Sequence, residues 1–376
     1  MIAPGAVAGF PNGWSPPHPY RPHRSRRQTM TGTILPIAPV PHRAASLCLV
    51  PEKPGFTVGT DLSPEVADVV RIIAGSATGD GDLAETRRIF TQVRRALGPE
   101  APDIASVREE TIIGPGGPLR LRLYRPSFGF RPLPALLFFH GGGWTVGDLD
   151  SHDTLCRQLA VATGHAIVAV DYRLAPEHPW PAAIEDGWAA LRWLAAYAPL
   201  LAIDPLAIGV AGDSAGGNIA AVLALKARDV GGPILKTQVL IYPAVDLAAG
   251  LPSHFTRADG YLLTRQAYVA YVRNYLAGQE VEGDWQVSPL RADRLDGLPP
   301  TVIITAGFDP LLDEGRAYAG RLAAAGVPVL HRLYPDMVHG FITMGGRLPA
   351  ANRAIADIGR ALASYDIYAF SDGGGI

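Results

Sequence analysis

Short apolar runs that alternate with helical patterns constrain the fold of this chain more than any other feature of its sequence. The runs are residues 135–139, 166–171, 207–211, 238–242, 301–306 and 329–334. Helix-like stretches between and after them fall at about 152–163, 181–197, 215–229, 313–325 and 350–364. Apolar strands that alternate with crossover helices are typical of parallel sheets covered on both faces. The sequence therefore predicts an α/β fold, a mostly parallel sheet flanked by helices.

Two regions depart from this alternation. The first precedes the runs. The sequence there has helical spacing from residue 62 to at least 73 and again over about 83–97, and a strand with one solvent-facing side follows residue 112. The second is the 58 residues between positions 242 and 301, far longer than an ordinary loop. We expect N-terminal helices in 51–105 and an insertion at about 248–290 to form a helical cap on a main domain of residues 106–376. Four tyrosines of the insertion are candidates for its core and for a pocket wall: Tyr261, Tyr268, Tyr271 and Tyr275.

The first 50 residues differ in composition from the rest. Five arginines and no carboxylate occur before Glu52, and prolines are frequent, so this leader is predicted to be disordered. Arg26-Arg27 is similar to a twin-arginine export signal, but no continuous apolar segment follows it. Met30 is an alternative start. We therefore expect a cytoplasmic protein.

Composition excludes several other classes. With 48% hydrophobic and 18% charged residues, the chain can bury a large core. Its net charge of -2 provides no basic field for nucleic acid or anionic membranes. No uninterrupted apolar stretch is long enough for a transmembrane helix. The two cysteines are too few for a disulfide scaffold or a cysteine-built zinc site.

A candidate nucleophile lies where the run 207–211 ends. The next residues are Gly212-Asp213-Ser214-Ala215-Gly216, followed by an alanine-rich helical pattern. In this strand–turn–helix context, G-x-S-x-G places the serine on a sharp elbow whose flanking positions must be small. Ser214 is therefore the candidate nucleophile, and Asp213 is expected to form supporting hydrogen bonds. The alternative is a glycine-rich turn with an inert serine.

Candidate hydrogen-bond donors for an oxyanion precede this serine. The run 135–139 leads into His140-Gly141-Gly142-Gly143-Trp144, and consecutive glycines allow backbone N–H groups to point at one position. We expect Gly142, Gly143 and Ala215 to form an oxyanion hole. A phosphate-binding loop is less consistent with the sequence, because neither a following Lys-Ser/Thr nor G-x-G-x-x-G occurs.

The acid and base are expected later in the chain, in the order serine, carboxylate, histidine. Asp309 follows the run 301–306 and His339 follows the run 329–334, so both should reach the edge of the sheet that holds Ser214. Rival carboxylates are Asp313, Glu314 and Asp336. His331 lies within a predicted strand and is a poor rival base.

Together these motifs resemble one branch of a known superfamily. HGGGW, DYRLAPE, PWPA, GDSAGGN, FDPLLDE and HGF occur in order from about residue 110 onward. This pattern is similar to that of the hormone-sensitive lipase-like α/β-hydrolases, the bacterial family IV carboxylesterases. The resemblance implies an α/β-hydrolase fold with a helical cap. It also implies nucleophile Ser214, acid Asp309, base His339 and oxyanion glycines Gly142 and Gly143. Within DYRLAPE, Arg173 and Glu177 are expected to form a charge pair that fixes the loop.

The function expected from motifs and resemblance is that of a serine carboxylesterase acting on short- to medium-chain esters through an acyl-enzyme. No cofactor, metal or nucleic-acid partner is expected, and the chain should be a monomer or homodimer. An amide or formamide hydrolase would use the same triad. A non-catalytic small-ligand receptor is a further alternative. Plant gibberellin receptors resemble this fold but lack the catalytic histidine, whereas this chain has His339.

Overall fold

The computed structural model describes residues 58–76, 82–129 and 131–371. The predicted leader of residues 1–50 and the alternative start Met30 lie outside the described residues. The described strands are β1 (Ser106–Gly114), β2 (Gly117–Arg125), β3 (Leu133–Phe139), β4 (Ala166–Val170), β5 (Ile203–Asp213), β6 (Gln238–Ile241), β7 (Thr301–Phe308) and β8 (Val329–Val338). The described helices are α1 (Pro64–Ser76), α2 (Leu83–Leu97), α3 (Asp153–Thr163), α4 (Ala182–Tyr197), α5 (Ala215–Asp229), α6 (Ser253–Thr256), α7 (Arg265–Leu276), α8 (Leu312–Ala324) and α9 (Pro349–Ser371). None of these helices combines the length and apolar character needed to cross a membrane.

The strands form one sheet in the order β1-β2-β4-β3-β5-β6-β7-β8. Neighbours from β4 to β8 pair in parallel, whereas β1 pairs with β2, and β2 with β4, in antiparallel fashion. The prediction of a mostly parallel α/β sheet is therefore confirmed. Strand β1 was not predicted, because its side chains are mostly exposed on both faces and produce no apolar alternation.

The sheet separates two hydrophobic cores. Successive residues of a strand point to opposite faces, so Leu137 packs with α4 and α5 on one side while Phe138 packs with α3 and α9 on the other. Helix α5 is buried along most of its length, which its small alanine and glycine side chains allow. Each large apolar side chain buried in this way contributes about 1.5–3 kcal/mol to the stability of the folded state. These cores hold the carboxyl ends of β3, β5, β7 and β8 at one edge.

The insertion between β6 and β7 carries α6 and α7. Helix α7 begins after Thr264, whose hydroxyl accepts a 3.1 Å hydrogen bond from the N–H of Ala267 and caps the first turn. Three of the four tyrosines singled out above lie on the buried side of α7, and Tyr261 precedes the helix. The division of the chain into leader, cap and main domain stays a prediction.

The prediction that Arg173 and Glu177 pair with each other was wrong, because each of them pairs with a different residue. Arg173 instead bonds Asp186, with Nε and Oδ2 at 2.9 Å. Glu177 is held by both terminal nitrogens of Arg87 at 2.8 Å each. Both residues fix the loop after β4, but Glu177 does so by tying it to α2. A bidentate guanidinium–carboxylate contact adds geometric specificity to this attachment.

Candidate active site

Ser214 is the single residue between the end of β5 and the start of α5. Its backbone has φ 57° and ψ -118°, a conformation that non-glycine residues rarely adopt. The turn is held by the N–H of Ser214, which donates to the carbonyl of Ile241 at 2.8 Å. A Cβ at Gly216 would lie 1.9 Å from the carbonyl oxygen of Phe139, and one at Gly212 would lie 2.3 Å from the backbone of Gly216. The small flanking residues are therefore required for the elbow.

The side chains of His339 and Asp309 continue from Ser214 as a hydrogen-bonded chain. Ser214 Oγ is 2.8 Å from Nε2 of His339, and Nδ1 of His339 is 2.7 Å from Oδ2 of Asp309. An ionised carboxylate accepts only, so Nδ1 carries the proton and Nε2 is free to accept from the serine hydroxyl. Asp309 is fully buried, and its other oxygen accepts from the N–H of Leu311 at 2.8 Å. Imidazole and carboxylate are therefore held in fixed orientation.

The rival residues make other contacts. Asp313 accepts from the N–H of Ser253, Glu314 pairs with His254, and Asp336 is exposed. His331 hydrogen-bonds the hydroxyl of Thr305 through Nε2. The structure therefore brings Asp309 and His339, and none of these rivals, into the hydrogen-bonded chain with Ser214.

The glycine loop after β3 lies against the elbow. Gly142 and Gly143 have φ 125° and 58°. A Cβ on Gly142 would meet the carbonyl oxygen of Val146 at 2.1 Å, and one on Gly143 would meet the ring of Tyr271 at 2.3 Å. Within the described residues, no acceptor takes a hydrogen bond from the N–H of Gly142, Gly143 or Ala215. All three residues line the same pocket as Ser214.

A buried polar cluster lies behind this loop. Oδ1 of Asp213 accepts the N–H of Gly141 at 2.8 Å and lies 3.2 Å from Nε2 of His152. Burial opposes ionisation of Asp213, but His152 and the hydrogen bonds outweigh it and lower the pKa of this carboxyl. Burial, together with His152, lowers the pKa of His140 to about 4. His140 also stacks on Tyr172 at 4.4 Å between ring centroids.

A pocket that opens to solvent lies in front of Ser214. Its walls come from α1, α2, the glycine loop, the elbow and α7. Of the four tyrosines, Tyr268 and Tyr271 line it, whereas Tyr275 stacks on Trp144 at 4.3 Å and Tyr261 packs on Phe308. Across the described residues, no three His, Cys, Asp or Glu side chains are grouped so as to hold a metal ion.

Comparison with known proteins identifies the family. A family model described as alpha/beta hydrolase fold matches residues 136–343, more than half of the 376. The carboxylesterase NlhH of Mycobacterium tuberculosis is 46% identical over 68% of this chain and 82% of its own length. The ethyl acetate hydrolase of Pseudomonas putida is 35% identical over 80% of this chain and 98% of its own. A Pyrobaculum calidifontis esterase structure superposes with a TM-score of 0.74 at 39% identity, covering 81% of this chain and 98% of the other.

The chain belongs to family IV of the carboxylesterases. As a member of this hormone-sensitive lipase-like family, it is a carboxylic ester hydrolase. Family IV motifs located the glycine loop, the elbow and the two later segments, but they did not reveal the contacts among them. His152 and Arg87 were missed because single histidines and arginines in helical patterns carry no distinguishing signal. Arg94 of α2, which lines the pocket, was missed for the same reason.

Proposed function

We propose that this chain is a serine carboxylesterase that hydrolyses short- to medium-chain carboxylic esters through an acyl-enzyme intermediate. The observation that carries the proposal is the hydrogen-bonded chain from Ser214 through His339 to Asp309, with distances of 2.8 and 2.7 Å. The unused N–H groups of Gly142 and Gly143, which line the same pocket, support it. A nucleophile, a base with an orienting carboxylate and oxyanion donors are the parts that acyl transfer needs.

In the acylation half-reaction, Ser214 Oγ attacks the ester carbonyl carbon while Nε2 of His339 takes the hydroxyl proton. Asp309 stabilises the imidazolium that forms. The carbonyl oxygen becomes an oxyanion that accepts hydrogen bonds from the N–H groups of Gly142, Gly143 and Ala215. Each such donor contributes about 3 kcal/mol of transition-state stabilisation. Collapse of the tetrahedral intermediate breaks the acyl C–O bond, and His339 protonates the departing alcohol.

Deacylation repeats these steps with water as the nucleophile. His339 takes a proton from the water as its oxygen attacks the acyl carbon, and then returns that proton to Ser214 Oγ. One water is consumed, and the products are an alcohol and a carboxylic acid that ionises in solution. The enzyme is left in its starting protonation state.

The acyl-chain preference follows from the shape of the pocket. Its walls are mostly apolar, and α2 and α7 contribute to them, which suits a small ester whose surface is largely buried on binding. An emulsified triglyceride would need a wide apolar opening at the surface. We therefore infer highest activity on acyl chains of short to medium length.

The test is hydrolysis of p-nitrophenyl esters from acetate to palmitate by the wild-type chain and by Ser214→Ala. The alanine variant should lose at least ~10⁴-fold in kcat, since removing the nucleophile of such a triad leaves only the oxyanion hole and binding. Circular dichroism and the unfolding midpoint check that the variant folds. Equal rates for variant and wild type would refute the proposal. Faster cleavage of p-nitroacetanilide than of p-nitrophenyl acetate would identify an amide hydrolase instead.

A further inference from the structure

Arg94 brings a positive charge into the pocket that holds Ser214. It lies on α2, and its guanidinium rests on Gly340, the residue after His339. Its Nη1 donates to the carbonyl of Gly340 at 3.2 Å and to the hydroxyl of Thr343 at 2.9 Å. The absence of a side chain at Gly340 permits this approach, because a Cβ there would lie 3.0 Å from Nη2. The guanidinium is thus held next to the loop of His339.

The guanidinium of Arg94 is attracted by the charge of Asp213 but forms no ion pair with it. Among the described residues, no carboxylate forms an ion pair with Arg94, and only Nη1 of its guanidinium has hydrogen-bond acceptors. The ring of Phe90 lies below the guanidinium, 4.7 Å from Cζ to the ring centroid. Burial lowers the pKa of Arg94 below its usual range.

The surroundings make an unpaired charge costly. The other side chains that line the pocket are mostly apolar, among them Ile73, Ile89, Val93, Leu262 and Leu263. Asp213 is the one carboxylate among the described pocket residues, and it is already engaged by Gly141 and His152. A guanidinium in such surroundings gains most from an anion that arrives with the ligand.

We propose that Arg94 makes this pocket selective for esters that carry a carboxylate as well as the ester group. The proposal rests on the esterase function proposed above and names its substrate class. The planar guanidinium matches the geometry of a carboxylate and can donate through nitrogens that the protein leaves unused. Arg94 takes no part in the bond changes. The reaction still consumes one water and yields one alcohol and one carboxylic acid, as in the mechanism above.

The carboxylate can belong to the acyl or to the alcohol part of the ester, and two matched substrate pairs distinguish these sources. Monoethyl glutarate and ethyl pentanoate differ by a carboxylate in place of a methyl group at the end of the acyl chain. 4-Acetoxybutanoate and butyl acetate differ in the same way in the alcohol. The rate of proton release during hydrolysis gives kcat/KM for each ester. The kcat/KM of the anionic ester divided by that of its neutral partner, called the anionic-to-neutral ratio, measures selectivity for the charge.

The variants are Arg94→Gln and Arg94→Lys, with Arg95→Gln as the matched control. Arg95 is the next residue on α2, but its side chain is 61% exposed and pairs with Asp150 at the surface. Arg94→Gln should lower the anionic-to-neutral ratio at least tenfold for one pair, which corresponds to about 1.4 kcal/mol. Arg94→Lys should retain part of the preference, and Arg95→Gln should keep the wild-type ratio.

Three outcomes would overturn the inference. The first is an unchanged ratio in folded Arg94→Gln for both pairs. The second is an equal fall in Arg95→Gln, which would mean that overall charge and not the pocket sets the ratio. The third needs no variant: a wild-type enzyme that cleaves both neutral esters more than tenfold faster than their anionic partners. Absence of hydrolysis of every ester by the wild-type chain would instead refute the esterase function.

Discussion

The backbone N–H of Gly141 donates a 2.8 Å hydrogen bond to Oδ1 of Asp213, the residue immediately before Ser214. Strands β3 and β5 are parallel neighbours, so the glycine loop and the elbow leave the sheet side by side. The Asp213 carboxylate joins the two segments beyond the last pair of strand residues. His152, 3.2 Å away, keeps this carboxylate charged and oriented. This buried side chain therefore helps to hold Ser214 next to the loop of the proposed oxyanion donors.

Replacing this carboxylate should lower the rate of the chemical step. In Asp213→Ala the N–H of Gly141 loses its acceptor and the loop can move, so we expect kcat for a p-nitrophenyl ester to fall at least tenfold with a smaller change in KM. The unsatisfied buried groups should also cost about 1–3 kcal/mol of unfolding free energy. Steady-state kinetics and urea unfolding measure the two effects. Asp229→Ala, at the exposed end of α5, is the control and should change neither quantity appreciably. An unaltered kcat in Asp213→Ala would contradict this role.

The sequence predicted those features of the site that depend on local chain geometry. Ser214, Asp309 and His339 each follow an apolar run, and the carboxyl ends of parallel strands meet at one edge, so their convergence could be predicted without coordinates. The contact of Arg87 with Glu177 could not, because it joins residues 90 positions apart and depends on how α2 packs. The same holds for His152 near Asp213. Pairings across loops depend on tertiary packing, which periodicity does not encode.

A methyl group added to Gly142 should disrupt the site. In Gly142→Ala the new Cβ would lie 2.1 Å from the carbonyl oxygen of Val146, and residue 142 would have to keep a φ of 125°. The loop must therefore shift, and its N–H groups would no longer point at the oxyanion. We expect kcat to fall by roughly 10²-fold or more, the loss typical of one oxyanion donor. Gly75→Ala in α1 is the control: nothing lies within 4 Å of the added atom, and activity should be retained. A fully active Gly142→Ala would show that this backbone conformation is not needed for catalysis.

The buried imidazole of His140 should make the protein less stable in acid. Its Nδ1 donates to the carbonyl of Gly141 at 2.8 Å, and Nε2 has no partner among the described residues. Protonation would add a buried charge whose N–H lacks an acceptor, and the pKa of His140 is accordingly lowered from 6.5 to about 4. Between these two values the unfolded chain binds more protons than the folded one. The free energy of unfolding therefore falls as pH falls through this range.

His140→Phe removes the titrating group and keeps an aromatic ring that can stack on Tyr172. The variant should be less stable than the wild type near neutral pH, since it loses the hydrogen bond to Gly141. Its stability should nevertheless decline less steeply in acid. From pH 6.5 to about 4, the wild type should lose up to about 3 kcal/mol more than the variant, which is the free energy of a shift of this size. Urea unfolding of both proteins at intervals across this range measures the difference. Parallel stability curves would mean that His140 does not contribute to the acid sensitivity of the fold.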